Sequence, residues 1–130
     1  MNPESSESSP SDGFSVDVEG PEGGHARVTA AGAIDMVTAP ELDRAIARAQ
    51  ESAPRVQLDL SGVEFLGSAG LSVLVGAARR AADAGGRFAI VANQHVVLRA
   101  IEVTGLDKVL NVFPEPAAAV AYLSEEAATD

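Results

Sequence analysis

The sequence contains no cysteine and no tryptophan, and its single lysine is Lys108. Without cysteine there is no disulfide framework, and the Cys and His clusters that hold zinc are missing as well. Lys108 is followed by valine, so the phosphate-binding loop G-x-x-x-x-G-K-[ST] does not occur. No apolar run approaches the roughly 18 residues that a membrane-spanning helix needs. We therefore expect a soluble protein with no metal, no cofactor and no membrane partner.

Basic residues are also scarce, and the formal net charge is −10. Residues 1–24 hold six acids and no base, whereas residues 25–124 hold ten acids against nine bases. Such a chain lacks the basic surface that nucleic acid or anionic lipid requires, so we expect no direct nucleic-acid partner. Residues 1–13 are expected to form a disordered acidic leader, and residues 124–130 an acidic C-terminal tail. Since the N-terminus is neither basic nor apolar, we expect a cytoplasmic protein.

Residues 14–123 have the patterns of one α/β domain. Alternating apolar residues on both sides of the turn Gly20–Gly24 predict an opening β-hairpin. Thr38 and Glu41 have the spacing of a capping box, in which each side chain satisfies a free N–H of the first helical turn. Further on, "RVQLDL" and "RFAIVA" are predicted strands, "KVLNVF" is a short extended segment, and amphipathic helices lie between and after them. Strand–helix–strand units imply parallel strands, so we predict a mixed sheet of four to five strands with about four helices.

The stretch "FLGSAGL" places Ser68 where a predicted strand ends and a helix begins. A serine at this point can act as an N-cap by accepting a backbone N–H, which contributes about 1 kcal/mol. The same place favours an added phosphate, because free N–H groups and the positive end of the helix dipole stabilise a dianion. Spacing alone favours the cap, but the two roles are compatible.

A nucleophilic serine is the third possible role of Ser68. The nucleophile elbow of hydrolases has the form G-x-S-x-G, but Leu66 stands where its first glycine should be. The two histidines, His25 in the hairpin and His95 at the start of a helix, are expected to be surface residues rather than catalytic bases. Serine hydrolysis is therefore disfavoured, and we expect a protein that is not an enzyme.

Three motifs, in the same order along the chain, resemble those of STAS-domain anti-sigma factor antagonists, also called anti-anti-sigma factors. The run "LDLSGVEFLGSAGL" is similar to the family pattern D-L-S-x-V-x-F-[LIM]-D-S-[ST]-G-L. "GAIDMVTAPEL" resembles G-E-[IL]-D-x-x-T-A-P-x-L, and "VTGLDKVLNVF" is similar to x-T-G-L-x-K-[VIL]-x-x-[IVF]. The resemblance covers about residues 14–123 and implies a single STAS-type domain.

The resemblance also implies a partner-switching role in bacterial transcription regulation, typically in a stress response. An unphosphorylated antagonist of this family binds an anti-sigma factor and so frees the sigma factor. That anti-sigma factor is also an ATP-dependent serine kinase with a histidine-kinase-like ATPase fold; phosphorylation releases the antagonist, and a serine phosphatase restores it. Position by position, the phosphorylated serine falls on Ser68, with Asp35 beside it on the kinase-binding surface. The partner-binding residues implied in this way are Asp35, Thr38, Gly67, Ser68, Ala69, Gly70 and Leu71.

The chain departs from the family pattern at three positions. Gly67 replaces the acid before the acceptor serine, Ala69 replaces the hydroxyl residue after it, and Ala33 replaces the usual Glu. Losing the neighbouring hydroxyl leaves Ser68 without a competing acceptor, whereas losing the acid leaves a second function open. This alternative is a STAS interaction module that is not phosphorylated, in a signalling scaffold or a lipid-transport complex.

Overall fold

The computed structural model describes residues 13–125, which form five strands and four α-helices. The strands are β1 (Phe14–Glu22), β2 (His25–Ile34), β3 (Arg55–Leu66), β4 (Arg87–Val91) and β5 (Val112–Phe113). The helices are α1 (Ala39–Ser52), α2 (Ser68–Asp83), α3 (His95–Val103) and α4 (Pro116–Ser124), with a short 3₁₀ helix at Leu106–Lys108. The expected leader at 1–13 and tail at 124–130 lie outside the described residues, except for Gly13, Ser124 and Glu125.

The strands form one sheet in the order β1-β2-β3-β4-β5. β1 and β2 are an antiparallel hairpin, and the other neighbouring pairs are parallel. The prediction of an α/β fold with an opening hairpin, a mixed sheet and about four helices is confirmed. Because β2, β3 and β4 are parallel, their C-terminal ends lie along one edge, where ligand and partner sites of α/β sheets commonly form.

The two faces of the sheet are covered to different extents. On one face, alternate strand residues such as Val28, Leu58 and Ile90 are fully buried in a large core together with residues of α1 and α2. Burying one such side chain contributes about 1.5–3 kcal/mol. On the other face, α4 packs on β4 and β3, and it forms a smaller core with four buried members: Ala89, Val91, Ala119 and Leu123.

β3 is longer than the predicted strand "RVQLDL", because it continues to Leu66. Its pairing with β2 contains two irregularities: one between Thr29 and Ala31, which pair with Asp59 and Gly62, and one between Gly32 and Ala33, which pair with Val63 and Phe65. A side chain at Gly62 would crowd the methyl group of Ala31, at 3.0 Å. With two extra residues, β3 reaches the edge of the sheet where Leu66 pairs with Ile34 at the end of β2.

Gln94, the residue before α3, holds this irregular part of β3 in place. Its side-chain amide donates to the backbone carbonyls of Leu60, Ser61 and Val63, at 2.6, 3.0 and 2.8 Å. Backbone carbonyls released from the regular ladder need such partners when they are sheltered from water.

The prediction for "KVLNVF" is wrong in its first half. Lys108 ends a 3₁₀ helix, and only Val112 and Phe113 pair with β4. The 3₁₀ helix is held by local bonds, such as that from the N–H of Val109 to the carbonyl of Leu106 (3.0 Å). An apolar run of this length is compatible with either structure, and periodicity cannot separate them.

Candidate functional site

Two loops meet at the C-terminal ends of β2 and β3. The first leads from β2 into α1 and begins at Asp35; the second is the single residue Gly67 between β3 and α2. The N–H of Gly67 donates to the carbonyl of Ile34 at 2.9 Å, which ties the loops together. Between them lies a shallow depression of about 370 Å³. We call this the Ser68 surface, and it is lined by Asp35, Met36, Phe65, Gly67, Ser68, Ala69 and Ser72.

Ser68 is exposed and is the first residue of α2. The prediction that it caps this helix is wrong, because the N-cap is Gly67 and no side chain caps the helix. Gly67 has an extended backbone, and its carbonyl accepts the N–H of Leu71 at 3.0 Å. A capping side chain at the N-cap position accepts the N–H groups two or three residues further on. Ser68 lies one residue past that position. Among residues 13–125, no group forms a hydrogen bond with the Ser68 hydroxyl.

Asp35 lines the same depression and holds the loop before α1 in a tight turn. Its Oδ1 accepts the backbone N–H groups of Val37 and Thr38, at 2.9 and 3.0 Å. The bond from the N–H of Thr38 is the main cause that lowers the pKa of Asp35 below its ordinary value. The carboxylate is therefore ionised at neutral pH, and it is fixed in position beside Ser68.

Thr38 does not form the predicted capping box with Glu41. It is the N-cap residue of α1, but its side chain makes no cap hydrogen bond. Instead, its hydroxyl donates to the carbonyl of Ala33 at 2.8 Å and accepts the N–H of Asp35 at 3.0 Å. The N–H of Glu41 donates to the backbone carbonyl of Thr38 at 3.1 Å, and no side chain caps it. The Thr38 hydroxyl instead fastens the loop to the end of β2.

The seven residues implied as partner-binding differ in exposure. Asp35, Gly67, Ser68 and Ala69 line the Ser68 surface. The other three are buried beneath it, with only 5% of Thr38 and 8% of Leu71 exposed, and Gly70 is buried as well. Thr38, Gly70 and Leu71 can therefore support the surface, but these buried residues are not available for direct contact.

Exposed apolar side chains that were not predicted from the sequence also lie in this region: Met36 and Phe65 line the Ser68 surface, and Val37 follows Met36 in the loop. Met36 is 80% exposed, Val37 is 74% exposed and Phe65 is 49% exposed. Met36 and Val37 follow Asp35 in the loop. An apolar pair between the end of a strand and the start of a helix is the sequence signal that could have predicted their exposure. Contiguous apolar groups at a protein surface mark sites of interaction.

No histidine lines the Ser68 surface. His25 begins β2, and His95 begins α3 as an exposed residue. Proton abstraction from a serine requires a base within hydrogen-bond reach, and the residues that line this depression do not provide a histidine for it. Within residues 13–125, no helix is both long and apolar enough to cross a membrane.

Comparisons with known proteins agree with this architecture. A family model described as "Mlab, STAS domain" matches residues 19–112. The anti-sigma-F factor antagonist RsfB of Mycobacterium tuberculosis is 37% identical over 91 residues, which are 69% of this chain and 74% of RsfB. The chain therefore belongs to the STAS-domain family, as its motifs indicated.

Solved structures of anti-sigma factor antagonists have the same fold. The crystal structure of an antagonist from Mycobacterium paratuberculosis has a TM-score of 0.79 and 38% identity, covering 91% of this chain and 99% of that one. The unphosphorylated form of the antagonist SpoIIAA has a TM-score of 0.70 at 15% identity, covering 86% of this chain and 99% of that one. At that identity, the likeness to SpoIIAA shows the fold alone.

Proposed function

We propose that this protein is an anti-sigma factor antagonist that is switched by phosphorylation of Ser68. In its unphosphorylated form it binds an anti-sigma factor, which is also an ATP-dependent serine kinase, and thereby frees the sigma factor. Phosphorylation releases it from the kinase, and a serine phosphatase returns it to the binding form. The names of its mycobacterial relatives support the antagonist role.

The main support for this phosphorylation switch is the position of the Ser68 hydroxyl. The hydroxyl is exposed at the first residue of α2 and forms no hydrogen bond with any of the residues 13–125. A phosphoryl group can therefore be transferred to it without breaking a structural contact. α2 has 16 residues, and its first free N–H groups with the positive end of its dipole stabilise the phosphate oxygens. The kinase supplies ATP, Mg²⁺ and the base, while this chain supplies only the hydroxyl.

The apolar groups around Ser68 favour a protein partner. Met36 and Phe65 line this surface with large exposed side chains of types that are enriched at protein interfaces, and Val37 next to Met36 is exposed as well. The fixed carboxylate of Asp35 adds a charge that a basic group of the kinase can pair with. The surface thus combines an apolar contact, one oriented charge and the acceptor hydroxyl.

The same arrangement explains release. A phosphate adds about −1.5 to −2 charges at pH 7. On Ser68 this charge would stand in an apolar contact surface next to the ionised carboxylate of Asp35. Desolvation and like-charge repulsion then weaken the complex, and no rearrangement of the fold is required.

The test is to incubate the protein with ATP and with each serine kinase of the histidine-kinase-like ATPase class from the same genome. Mass spectrometry should find one phosphate on Ser68. The matched control is Ser72→Ala, which removes an exposed hydroxyl that lines the same depression one helical turn away. Ser72→Ala should be phosphorylated like the unchanged protein, and Ser68→Ala should not. A phosphate on Ser72, or modification of Ser68→Ala, would show that the acceptor is assigned wrongly.

Binding of the kinase gives an independent measurement. Ser68→Asp should bind at least about tenfold more weakly than Ser68→Ala, because it places one negative charge in the contact surface. Equal affinities of the two variants would contradict the electrostatic account of release.

A second candidate is an interaction module that binds its partner without the switch. The presence of Gly67 in place of the acid before the serine favours it. Such a module would bind its partner equally well with and without ATP, whereas the switch requires ATP-dependent release.

A further inference from the structure

A second depression lies on the sheet face that α4 covers in part. Its volume is about 530 Å³, within the range of small-molecule sites. It is bounded by the ends of the β1–β2 hairpin on one side and by Val120 of α4 on the other. We call it the Gln57 cleft, and its lining residues are Glu19, Gly20, Glu22, His25, Arg27, Gln57 and Val120. It shares no residue with the Ser68 surface.

Gln57 is the buried polar residue of this cleft. It lies in β3 between Arg27 of β2 and Ala89 of β4, and only 1% of its surface is exposed. Its side-chain amide forms no hydrogen bond with any of the residues 13–125. Most buried polar groups in folded proteins have partners, and leaving one without a partner is destabilising. A hydrogen bond to a molecule that enters the cleft would therefore stabilise this amide.

The charges around the cleft limit what that ligand is. Arg27 is already paired with Glu19, at 2.6 Å, so its guanidinium is engaged within the protein. Glu22 is an exposed acid on the rim and disfavours an anion. The floor is a neutral amide, which both donates and accepts. A neutral ligand that presents a donor and an acceptor on one edge satisfies it best.

We propose that the Gln57 cleft binds a small neutral molecule with an amide edge, such as a carboxamide or a lactam. The N–H of the ligand donates to the side-chain oxygen of Gln57, and its C=O accepts from the side-chain NH₂ group. Only 1% of Gln57 is exposed, so neighbouring side chains must shift before the edge of a ligand reaches both atoms of the amide, and this limits the ligand to a compact group. This site is independent of the phosphorylation proposed at Ser68.

The first test measures whether the amide lacks a partner in the free protein. Gln57→Met removes the amide and keeps the length of the side chain, so it should raise the Tm. Gln50→Met is the matched control, since Gln50 donates to the carbonyl of Ala77 and accepts from Arg80, both at 2.9 Å. Loss of those bonds should lower the Tm. If Gln57→Met lowers the Tm as Gln50→Met does, the Gln57 amide is already satisfied and the proposal fails.

The second test uses two five-membered rings of similar shape on the unchanged protein. 2-Pyrrolidone has an amide edge, whereas cyclopentanone has the carbonyl without the N–H. In ¹H–¹⁵N NMR titrations to tens of millimolar, 2-pyrrolidone should shift the side-chain NH₂ signal of Gln57 and the backbone signals of Arg27 and Val120. Cyclopentanone should bind about tenfold more weakly, the factor expected for one lost hydrogen bond.

The titrations also decide against the proposal in two clear cases. Equal shifts from both rings would show that the cleft does not distinguish an amide from a carbonyl group without an N–H. The absence of shifts at Gln57 with 2-pyrrolidone would show that the cleft does not accept such a ligand. Neither result depends on a variant that must fold, and neither bears on phosphorylation of Ser68.

Discussion

The packing of Gly70 beneath the Ser68 surface leads to a quantitative prediction. Gly70 is in the first turn of α2, directly above the ends of β2 and β3. A Cβ atom added there would lie 2.6 Å from Cγ2 of Ile34 and 2.7 Å from Cδ1 of Leu66. Both neighbours are buried, with Ile34 at 0% and Leu66 at 5% exposure, so they cannot move into solvent. Gly70→Ala therefore requires that these buried side chains or α2 itself shift.

The expected change combines two opposing effects. Overpacking of a filled core costs about 1–3 kcal/mol. Alanine is favoured over glycine inside a helix by about 1 kcal/mol, so the net loss of unfolding free energy is about 0–2 kcal/mol. Gly76 lies in the same helix, and the nearest atom to its added Cβ is Nη1 of Arg80 at 3.8 Å. Gly76→Ala should therefore raise the unfolding free energy by about 1 kcal/mol through helix propensity, without a cost from overpacking.

Urea denaturation of the two variants measures this difference under identical conditions. Gly76→Ala should have a higher midpoint than the unchanged protein, and Gly70→Ala should be about 1–3 kcal/mol less stable than Gly76→Ala. Because α2 carries Ser68 on its first residue, Gly70→Ala should also slow phosphorylation by the kinase, while Gly76→Ala should not. If the two variants have equal stability, the first turn of α2 is not packed as tightly as these distances indicate.

Three further predictions concern the surroundings of the site. Gln94→Leu leaves backbone carbonyls of β3 without their donor, so it should lower the unfolding free energy by about 1–3 kcal/mol in urea titrations. The control Asn93→Ala, at an exposed neighbour, should change the unfolding free energy by less than about 0.5 kcal/mol. The folded-state pKa of Asp35 is lowered, so its contribution to stability is present above the ordinary aspartate pKa and is lost as the pH falls through the folded value. Between about pH 5 and pH 2, the unchanged protein should therefore lose more stability than Asp35→Asn, and parallel losses would contradict this. Phe65→Ala should weaken kinase binding by at least about tenfold in calorimetry, with little change in Tm. The control Val103→Ala, at a residue of α3 that is 68% exposed, should leave kinase binding unchanged.

The helix cap shows where reasoning from spacing failed. Whether Ser68 is the N-cap or the first helical residue depends on a shift of one position. That shift is set by how far β3 continues, and β3 continues to Leu66 because Leu66 pairs with Ile34 at the end of β2. A contact between residues so far apart in the chain leaves no local pattern around Ser68. The Thr38 prediction failed for a local reason, because its hydroxyl donates to the carbonyl of Ala33, five residues earlier, instead of capping the helix.

The sequence by itself determined the order of strands and helices, the hairpin, the nearly neutral body and the family. These follow from periodicity, turn residues and motifs, which are properties of neighbouring positions. Only the tertiary structure decided that, among residues 13–125, the Ser68 hydroxyl and the buried Gln57 amide have no hydrogen-bond partner, and that Met36 and Phe65 stay exposed on the Ser68 surface. Exposure and hydrogen bonding depend on which distant segments cover a residue, and packing of the sheet and helices alone fixes that.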